Sequence, residues 1–393
     1  MKKPSRLTQG LSRNVIVLGV VSLLNDAGSE MIYPLLPVFL TTTLGASTEL
    51  LGLIEGIAES TAGLLKLFSG YFSDRLKRRK GPAVIGYAIS SVTRPFLALA
   101  TQGWHVLPVR LGDRIGKGVR TAPRDALIAD STDPSQRGLA FGFHRAMDHA
   151  GAVVGPLLAM LVLTFSADNY RLVFFLAAIP PLIGVLVLML AAKEIRPQRE
   201  GVAPSFHLRQ FNSPFKKYLI TVFLFTLGNS SDAFLLLRAK QVGMATALIP
   251  ALWLFHHIVK MVVSIPGSGL SDRLGRRKVI LLGWIVYAAV YVGFGFAQQA
   301  WHIWLLFALY SVYYGLTEGT EKAFVADLVK PEQRGMAFGI YNFAIAIGAF
   351  PASLIMGILW QRVSPLAAFS FGVAMALLAA LMLIGVKENE TMA

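Results

Sequence analysis

Apolar residues run through this chain in long blocks, separated by short polar stretches. A helix needs about 20 predominantly apolar residues to cross the hydrocarbon core of a bilayer. Twelve segments reach that length: about 14–40, 48–72, 81–101, 104–130, 137–164 and 171–192, then 216–240, 246–270, 277–298, 301–328, 334–361 and 365–386. The one long polar stretch, 193–215, holds Arg196, Arg199, Pro204 and Arg209 and no long apolar run. It reads as a linker between two six-helix halves, 1–192 and 216–393. The expected fold is an all-α integral membrane protein of twelve helices in two bundles.

Composition supports the bilayer as solvent. The chain is 54% hydrophobic, with a mean hydropathy of +0.58, and only 15% of its residues are charged. A soluble domain carries about 25% charged residues. The net charge of +15 could suit nucleic acid, but the Lys and Arg residues crowd a few short loops rather than one face, so no nucleic-acid partner is expected. There is no cysteine, which removes disulfides, thiolate metal sites and cysteine nucleophiles. No His/Asp cluster has metal-ligand spacing and no nucleophile elbow is present. Gly116-Lys117-Gly118 is too short for a phosphate loop. Neither an enzyme, a metal nor a cofactor is expected. The basic start (Lys2, Lys3, Arg6, Arg13) ahead of Val15–Leu24 superficially resembles a signal peptide. No small-residue cleavage site follows, and the apolar run continues past Asp26 to Leu40, so this segment is expected to be the first membrane helix.

The two halves repeat one another. Ser73-Asp74-Arg75-Leu76-Lys77-Arg78-Arg79-Lys80 returns as Ser271-Asp272-Arg273-Leu274-Gly275-Arg276-Arg277-Lys278, and Asp133–Gly142 returns as Lys330–Gly339. Duplicated apolar units are the mark of repeat-built secondary transporters. The basic stretches are the N-terminus, 74–80, the linker and 273–278, whereas the alternate loops hold only Arg171, Lys240 and Arg362. The positive-inside rule then puts both termini in the cytoplasm, as an even number of helices requires. A bacterial cytoplasmic (inner) membrane is the expected location.

The loop after the second helix of each half resembles the signature of the major facilitator superfamily, and the resemblance extends along the whole chain. The first copy comprises Gly70, Asp74, Arg75, Arg78 and Arg79, with Lys77 where the family usually has Gly. The second comprises Asp272, Arg273, Gly275 and Arg276, with Ser268 at the position of the leading Gly. An ordinary cytoplasmic charge cluster would use the same residue types, but it would not recur in register. The resemblance implies two pseudo-symmetric bundles, alternating access, function as a monomer and a gating role for this motif. In the family its Asp meets a helix N-terminus or a nearby Arg, a favourable charge–dipole contact that can break as the halves rock. Gly142, Gly151 and Gly155-Pro156 of the fifth helix are similar to the motif of the proton-coupled drug-efflux antiporters, although Ala159 and Met160 stand where a further glycine pair is usual. Small-residue helix packing, with a bend at Pro156, is the plainer reading of the same residues.

Charge inside the predicted spans supplies the candidate chemistry. Arg110, Asp113, Arg114, Lys117, Arg120 and Arg124 fall within an arc of about 140° on the fourth helix. Each charge at the bilayer centre costs at least about 2.5–3.5 kcal/mol, so this stripe must face a wet cavity or charged partners. Asp26, Glu30, Glu59, Asp148 and His149 are the candidate proton-coupling groups. A carboxylate near a cation can change protonation as its surroundings change from wet to closed, and His titrates nearest neutrality. Arg110, Arg114, Lys117 and Arg145 suit an anionic substrate group. In the second half, Asn229, Asp232, Trp253, His257 and Tyr314 form a more aromatic, weakly charged candidate wall, accompanied by His256, Lys260, Glu318 and Glu321. Structural ion pairs and interhelix packing are the alternative roles for all of these, foremost for Arg120, Arg124 and Asp125. Arg94 has no partner that sequence identifies.

These features point to a secondary transporter, coupled to protons, that exports an amphipathic organic anion or drug-like compound. Uptake of a polar organic anion by the same residues is the alternative. The expected partners are a small-molecule substrate, protons and the lipid bilayer. The topology has a direct test. An impermeant thiol reagent added outside should label Leu44→Cys and Gln299→Cys and miss Arg78→Cys and Arg276→Cys; the opposite pattern would overturn the orientation.

Overall fold

A computed structural model describes residues 11–76, 78–133, 136–166, 168–195, 208–330 and 333–386. The side chains of Gly70, Asp74 and Asp272 lie outside the described residues, as do positions 196–207 of the expected linker. Among the described residues the chain is helical with no strand. Twelve long helical stretches follow in order: α1 (Arg13–Thr43), α2 (Thr48–Arg75), α3 (Lys80–Thr93, extended by a tight 3-10 stretch, Arg94–Leu99), α4 (Val106–Asp130), α5 (Arg137–Phe165) and α6 (Tyr170–Ala191), then α7 (Ser213–Gln241), α8 (Ile249–Leu274), α9 (Arg276–Phe296), α10 (Ala300–Leu328), α11 (Arg334–Arg362) and α12 (Pro365–Ile384). Eight of the twelve are long and apolar enough to cross a membrane, including all of α5, α6, α9, α11 and α12 apart from their ends. Three of the others, α2, α4 and α10, have ample length at 28, 25 and 29 residues but fall short on composition. They carry much of the intramembrane charge.

Local chemistry sets the ends and the interruptions. Ser12, Asn169, Asn212 and Ser364 start α1, α6, α7 and α12, each side-chain oxygen accepting from a backbone N–H of the first turn. Three helices break inside their span. The α1 break at residues 33–35 contains Pro34, and the α6 break at 177–178 precedes Pro180-Pro181, so a missing N–H donor accounts for both. The α7 break, Asn229-Ser230-Ser231-Asp232, contains no proline. There the short polar side chains compete for the backbone: Ser231 Oγ accepts from Ala233 N at 3.3 Å, and Ser353 Oγ accepts from Ser231 N at 3.2 Å. Irregular backbone at membrane depth needs such partners.

The chain divides into two compact units, residues 1–35 with 64–203 and residues 36–63 with 204–393, so α2 runs from one into the other. Within the first unit, α1 packs on α5 and α6, and α3 on α4 and α6; within the second, α7 packs on α11 and α12, and α9 on α10 and α12. The repeat seen in sequence is therefore a repeat of packing. The cores differ in kind. Val15, Leu18, Val21, Tyr87, Leu127, Ile128 and Leu188 form a mainly aliphatic cluster in the first unit. Trp284, Tyr287, Tyr291, Phe294, Phe307 and Tyr310, all fully buried, dominate the second.

The basic loops are anchored by one device used twice. Arg79 pairs with Asp130 at 3.1 Å and Arg276 with Asp327 at 3.4 Å. The next residue in each copy caps a helix C-terminus: Lys80 donates to Met189 O and Ala192 O at the end of α6, and Arg277 to Ile384 O and Val386 O at the end of α12. The sequence match aligned Arg78 with Arg276. The contacts align Arg79 with Arg276, one position on, which is the register of the second repeated pair. On the opposite loops, the three isolated cations each have a local partner: Arg171 donates to Ala98 O, Lys240 to Thr246 Oγ1, and Arg362 pairs with Glu49 at 2.6 Å.

One close helix crossing in the first unit, that of α1 and α5, depends on glycine. A Cβ on Gly155 would lie 2.5 Å from Ala27 O, and one on Gly151 would lie 2.6 Å from Leu23 O; one on Gly142 would meet nothing within 4 Å. Gly155→Val should therefore force α1 and α5 apart and cost about 1–3 kcal/mol, read as a lowered melting temperature in detergent. Gly142→Ala should leave that temperature unchanged.

Candidate functional site

The α1–α5 crossing brings two carboxylates of the first unit to a tight seam. Besides the two backbone oxygens, the added Cβ atoms at Gly151 and Gly155 would each lie 2.8 Å from a Cβ of α1, those of Asp26 and Glu30 respectively. Two of the three motif glycines of α5 thus admit its backbone beside these two acids. Pro156 lies within α5, which continues through it to Phe165. Asp26 accepts from Asn25 Nδ2 at 2.9 Å, and the charges acting on it are Asp148 on α5 and Arg120 and Lys117 on α4. Asp148 in turn accepts from Ser22 Oγ of α1 and lies 3.6 Å from His144 Nδ1. Of the other α5 candidates, His149 is half-buried and Arg145 is exposed.

The arginine stripe of α4 is sorted by its partners. Asp113 receives Arg94 Nε at 3.0 Å and Arg110 Nη1 at 3.9 Å, and Arg94 Nη1 also donates to the backbone oxygen of Asn25 at 3.0 Å. Arg94, for which sequence offered no partner, therefore ties α3 to α4 and to α1 one residue before Asp26. Arg110 lies over the Tyr33 ring at 5.8 Å, beside the α1 break. Arg120 donates to Ser90 Oγ at 2.8 Å and lies over Tyr87 at 4.7 Å; Arg124 pairs with Asp125 at 2.8 Å. Arg114 is buried and Lys117 half-buried between these two groups along the helix.

In the second unit the α7 break presents Asn229 and Asp232. Asn229 Nδ2 donates to Tyr313 Oη at 3.2 Å, and Asp232 accepts from Tyr310 at 2.5 Å and from Tyr314. Lys260 pairs with Glu318 at 3.0 Å while its ammonium stands 4.2 Å above the Tyr314 ring. His256 stacks between Trp253 and Tyr310, at 5.2 and 5.6 Å, and bonds Ser311 Oγ at 2.8 Å; His257 meets the Trp253 edge at 5.0 Å. Glu59 belongs to this group: it falls in the second unit and acts on Asp232, and its neighbour Glu55 accepts from Ser231 Oγ at 3.3 Å. The sequence grouped Glu59 with Asp26 and Glu30 as a proton-coupling candidate. Of the loop-motif residues, Arg75, Arg78 and Arg273 are exposed and Arg276 makes the pair with Asp327. Sequence reading did not single out Asp130, Asp327, Lys80 or Arg277 for the loop device; the register of the second repeated pair could have identified them. Among the described residues no three His, Asp or Glu side chains gather as a metal site.

This arrangement, two repeated helical units with charge buried inside each, matches a known family profile. The Major Facilitator Superfamily profile covers residues 18–259 and 239–392. The chain belongs to the Major Facilitator Superfamily. An uncharacterized MFS-type transporter of Methanocaldococcus jannaschii is 34% identical over 390 residues, 98% of this chain and 97% of the relative. The multidrug resistance protein MdtH of Cronobacter sakazakii is 22% identical over 360 residues, 88% of this chain and 86% of its own. A crystal structure of a bacterial homologue of the human lysosomal transporter Spinster superposes with a TM-score of 0.78 at 15% identity, covering 98% of this chain and 97% of that one. As a superfamily member the chain is a membrane-embedded secondary transporter of small molecules, and not an enzyme.

The Arg94–Asp113 pair makes a stability prediction. Arg94→Ala leaves a buried carboxylate and should cost about 3–5 kcal/mol, whereas replacing both partners with apolar residues, Arg94→Met with Asp113→Leu, should recover much of that. Thermal unfolding of the purified variants decides it; a stable Arg94→Ala protein would exclude the pair as a structural tie.

Proposed function

We propose that this transporter exports an amphipathic organic anion or drug-like compound by alternating access in exchange for protons. The observation that carries the reading is the α1–α5 crossing, where Gly151 and Gly155 admit the backbone of α5 beside Asp26 and Glu30. A change in packing at that seam changes the surroundings of both carboxylates, and a buried acid responds by gaining or losing a proton. The glycines are those of the efflux-type motif, and the distant relative MdtH is named a multidrug resistance protein. Both favour export.

In this reading Asp26 and Glu30 take the proton, with Asp148 and His149 of α5 as further candidates. Arg114 and Lys117, midway along α4, hold the anionic group, with Arg110 and Arg145 toward its margins. Asn229, Asp232, Trp253, His257 and Tyr314 receive the rest of the molecule, and Glu59 acts through Asp232. The loop motif of Gly70, Asp74, Arg75, Arg78, Asp272, Arg273 and Arg276 gates turnover. The halves 1–192 and 216–393 move as the two working parts, with 193–215 joining them, and both termini lie in the cytoplasm.

Proteoliposomes with an imposed proton gradient test this against a panel of anionic, cationic and neutral amphipathic compounds. Asp26→Asn or Glu30→Gln should abolish gradient-driven transport and leave passive exchange. Arg114→Ala should weaken binding of the anion about 10- to 100-fold, the effect of losing a charge-assisted hydrogen bond. Normal gradient-driven transport by both carboxylate variants would remove the proton site from α1. Accumulation in the direction of the proton flux would turn the reading to uptake.

A further inference from the structure

Glu321 on α10 is a half-buried acid with no role in that scheme. Its two carboxyl oxygens are taken separately, Oε1 by Trp284 Nε1 of α9 at 3.0 Å and Oε2 by the Tyr341 hydroxyl of α11 at 2.8 Å. Trp284 and Tyr341 are themselves buried, at 0% and 3% exposure. The Tyr341 ring lies parallel to Tyr218 of α7, at 6.4 Å, and Tyr218 is in electrostatic range of the same carboxylate. The Tyr218 hydroxyl is buried and has no hydrogen-bond partner among the described residues. Glu321 stands about seven residues, roughly 10 Å along the axis, from the end of α10.

The repeat makes this position unusual. In the register set by Arg79 and Arg276, Trp284 matches Tyr87 and Glu321 matches Arg124. Arg124 is compensated by Asp125 at 2.8 Å. Glu321 has no cation within ion-pair distance among the described residues, since Lys322 beside it is exposed and Lys260 is held by Glu318. One scaffold position thus carries a paired cation in the first unit and a carboxylate satisfied only by neutral donors in the second. An intramembrane acid of this kind is costly to keep, and a structural role shared by both halves does not explain it.

We infer that Glu321, with Trp284, Tyr341 and Tyr218, is a proton-binding site of the second unit. The chemistry is a reversible protonation: one proton from water adds to a carboxyl oxygen, and no other bond changes. The pocket has partners for both forms. The carboxylate accepts from Trp284 and Tyr341. The acid gains an O–H donor, and the Tyr218 oxygen is the free acceptor for it, while the second oxygen continues to accept. Since Trp284, Glu321, Tyr341 and Tyr218 come from α9, α10, α11 and α7, the exchange of bonds registers on four helices of the unit at once. The other titratable groups facing the site are Tyr313 and Glu318 on α10, with Lys322 at its exposed edge.

This site is independent of Asp26 and Glu30, and the experiment separates the two. Infrared difference spectra of the purified full-length protein, recorded across a pH titration, should contain a protonated-carboxyl C=O band. That band should vanish in Glu321→Gln, return at a shifted frequency in Glu321→Asp, and persist in Asp26→Asn. Trp284→Phe and Tyr341→Phe keep the carboxylate but remove one donor each, and should move the band's midpoint by about one pH unit, a tenfold change in proton affinity. Identical difference spectra for the native protein and Glu321→Gln would overturn the proposal. So would an unmoved midpoint in both donor variants, which covers the case in which Glu321→Gln fails to fold.

Discussion

Inside a bilayer, a polar or charged group has only the protein to satisfy it, and every informative feature of this structure answers to that constraint. The backbone groups are met by near-continuous helix. Where the helix stops, side chains take over: Ser12, Asn169, Asn212 and Ser364 at the starts, Lys80 and Arg277 at the ends of α6 and α12. The side-chain charges are met by burial in company. Asp113 is shared by Arg94 and Arg110, Arg124 is taken by Asp125, and Lys260 is taken by Glu318 and the face of Tyr314.

The two units solve the same problem with different chemistry. In the first, cations and carboxylates neutralise one another across α1, α3, α4 and α5. In the second, several carboxylates accept from neutral donors, Asp232 from Tyr310 and Tyr314, Glu321 from Trp284 and Tyr341, Glu55 from Ser231, beside the Lys260–Glu318 ion pair. The packing of the first helix on the fifth and sixth, and of the third on the fourth and sixth, is nonetheless common to both. A duplicated scaffold with divergent polar interiors suits a transporter, since the scaffold must permit one set of motions while the interiors bind different things. Both α1 and α7, the first helix of each repeat, are broken: α1 at Tyr33-Pro34-Leu35, α7 at the polar Asn229-Ser230-Ser231-Asp232.

Glycine placement joins packing to chemistry. Gly151 and Gly155 let two backbones approach at the carboxylates of α1, whereas Gly142, equally prominent in sequence, faces open space. A motif read as one unit along the chain thus separates into residues that set a helix crossing and one that does not. Pro156 sits one residue beyond that crossing without ending the helix.

Sequence by itself determined the class, the helix order, the twofold repeat and the list of charges that need partners. Hydrophobic length and loop charge are local properties, and the bilayer reads them directly. It did not determine the partners. Arg94 and Asp113 lie 19 positions apart, and the carbonyl of Asn25 that completes their cluster comes from yet another helix. Glu59 shares its candidate role with Asp26 but belongs to the other unit, because rotation about the helix axis and the packing of α2 on α11 decide its company. The one-residue slip that makes Arg79 the equivalent of Arg276 shows in the register of the second repeated pair, but the contact itself depends on where a loop delivers the guanidinium. Depth is written along the chain; azimuth and partnership are fixed only when the helices pack.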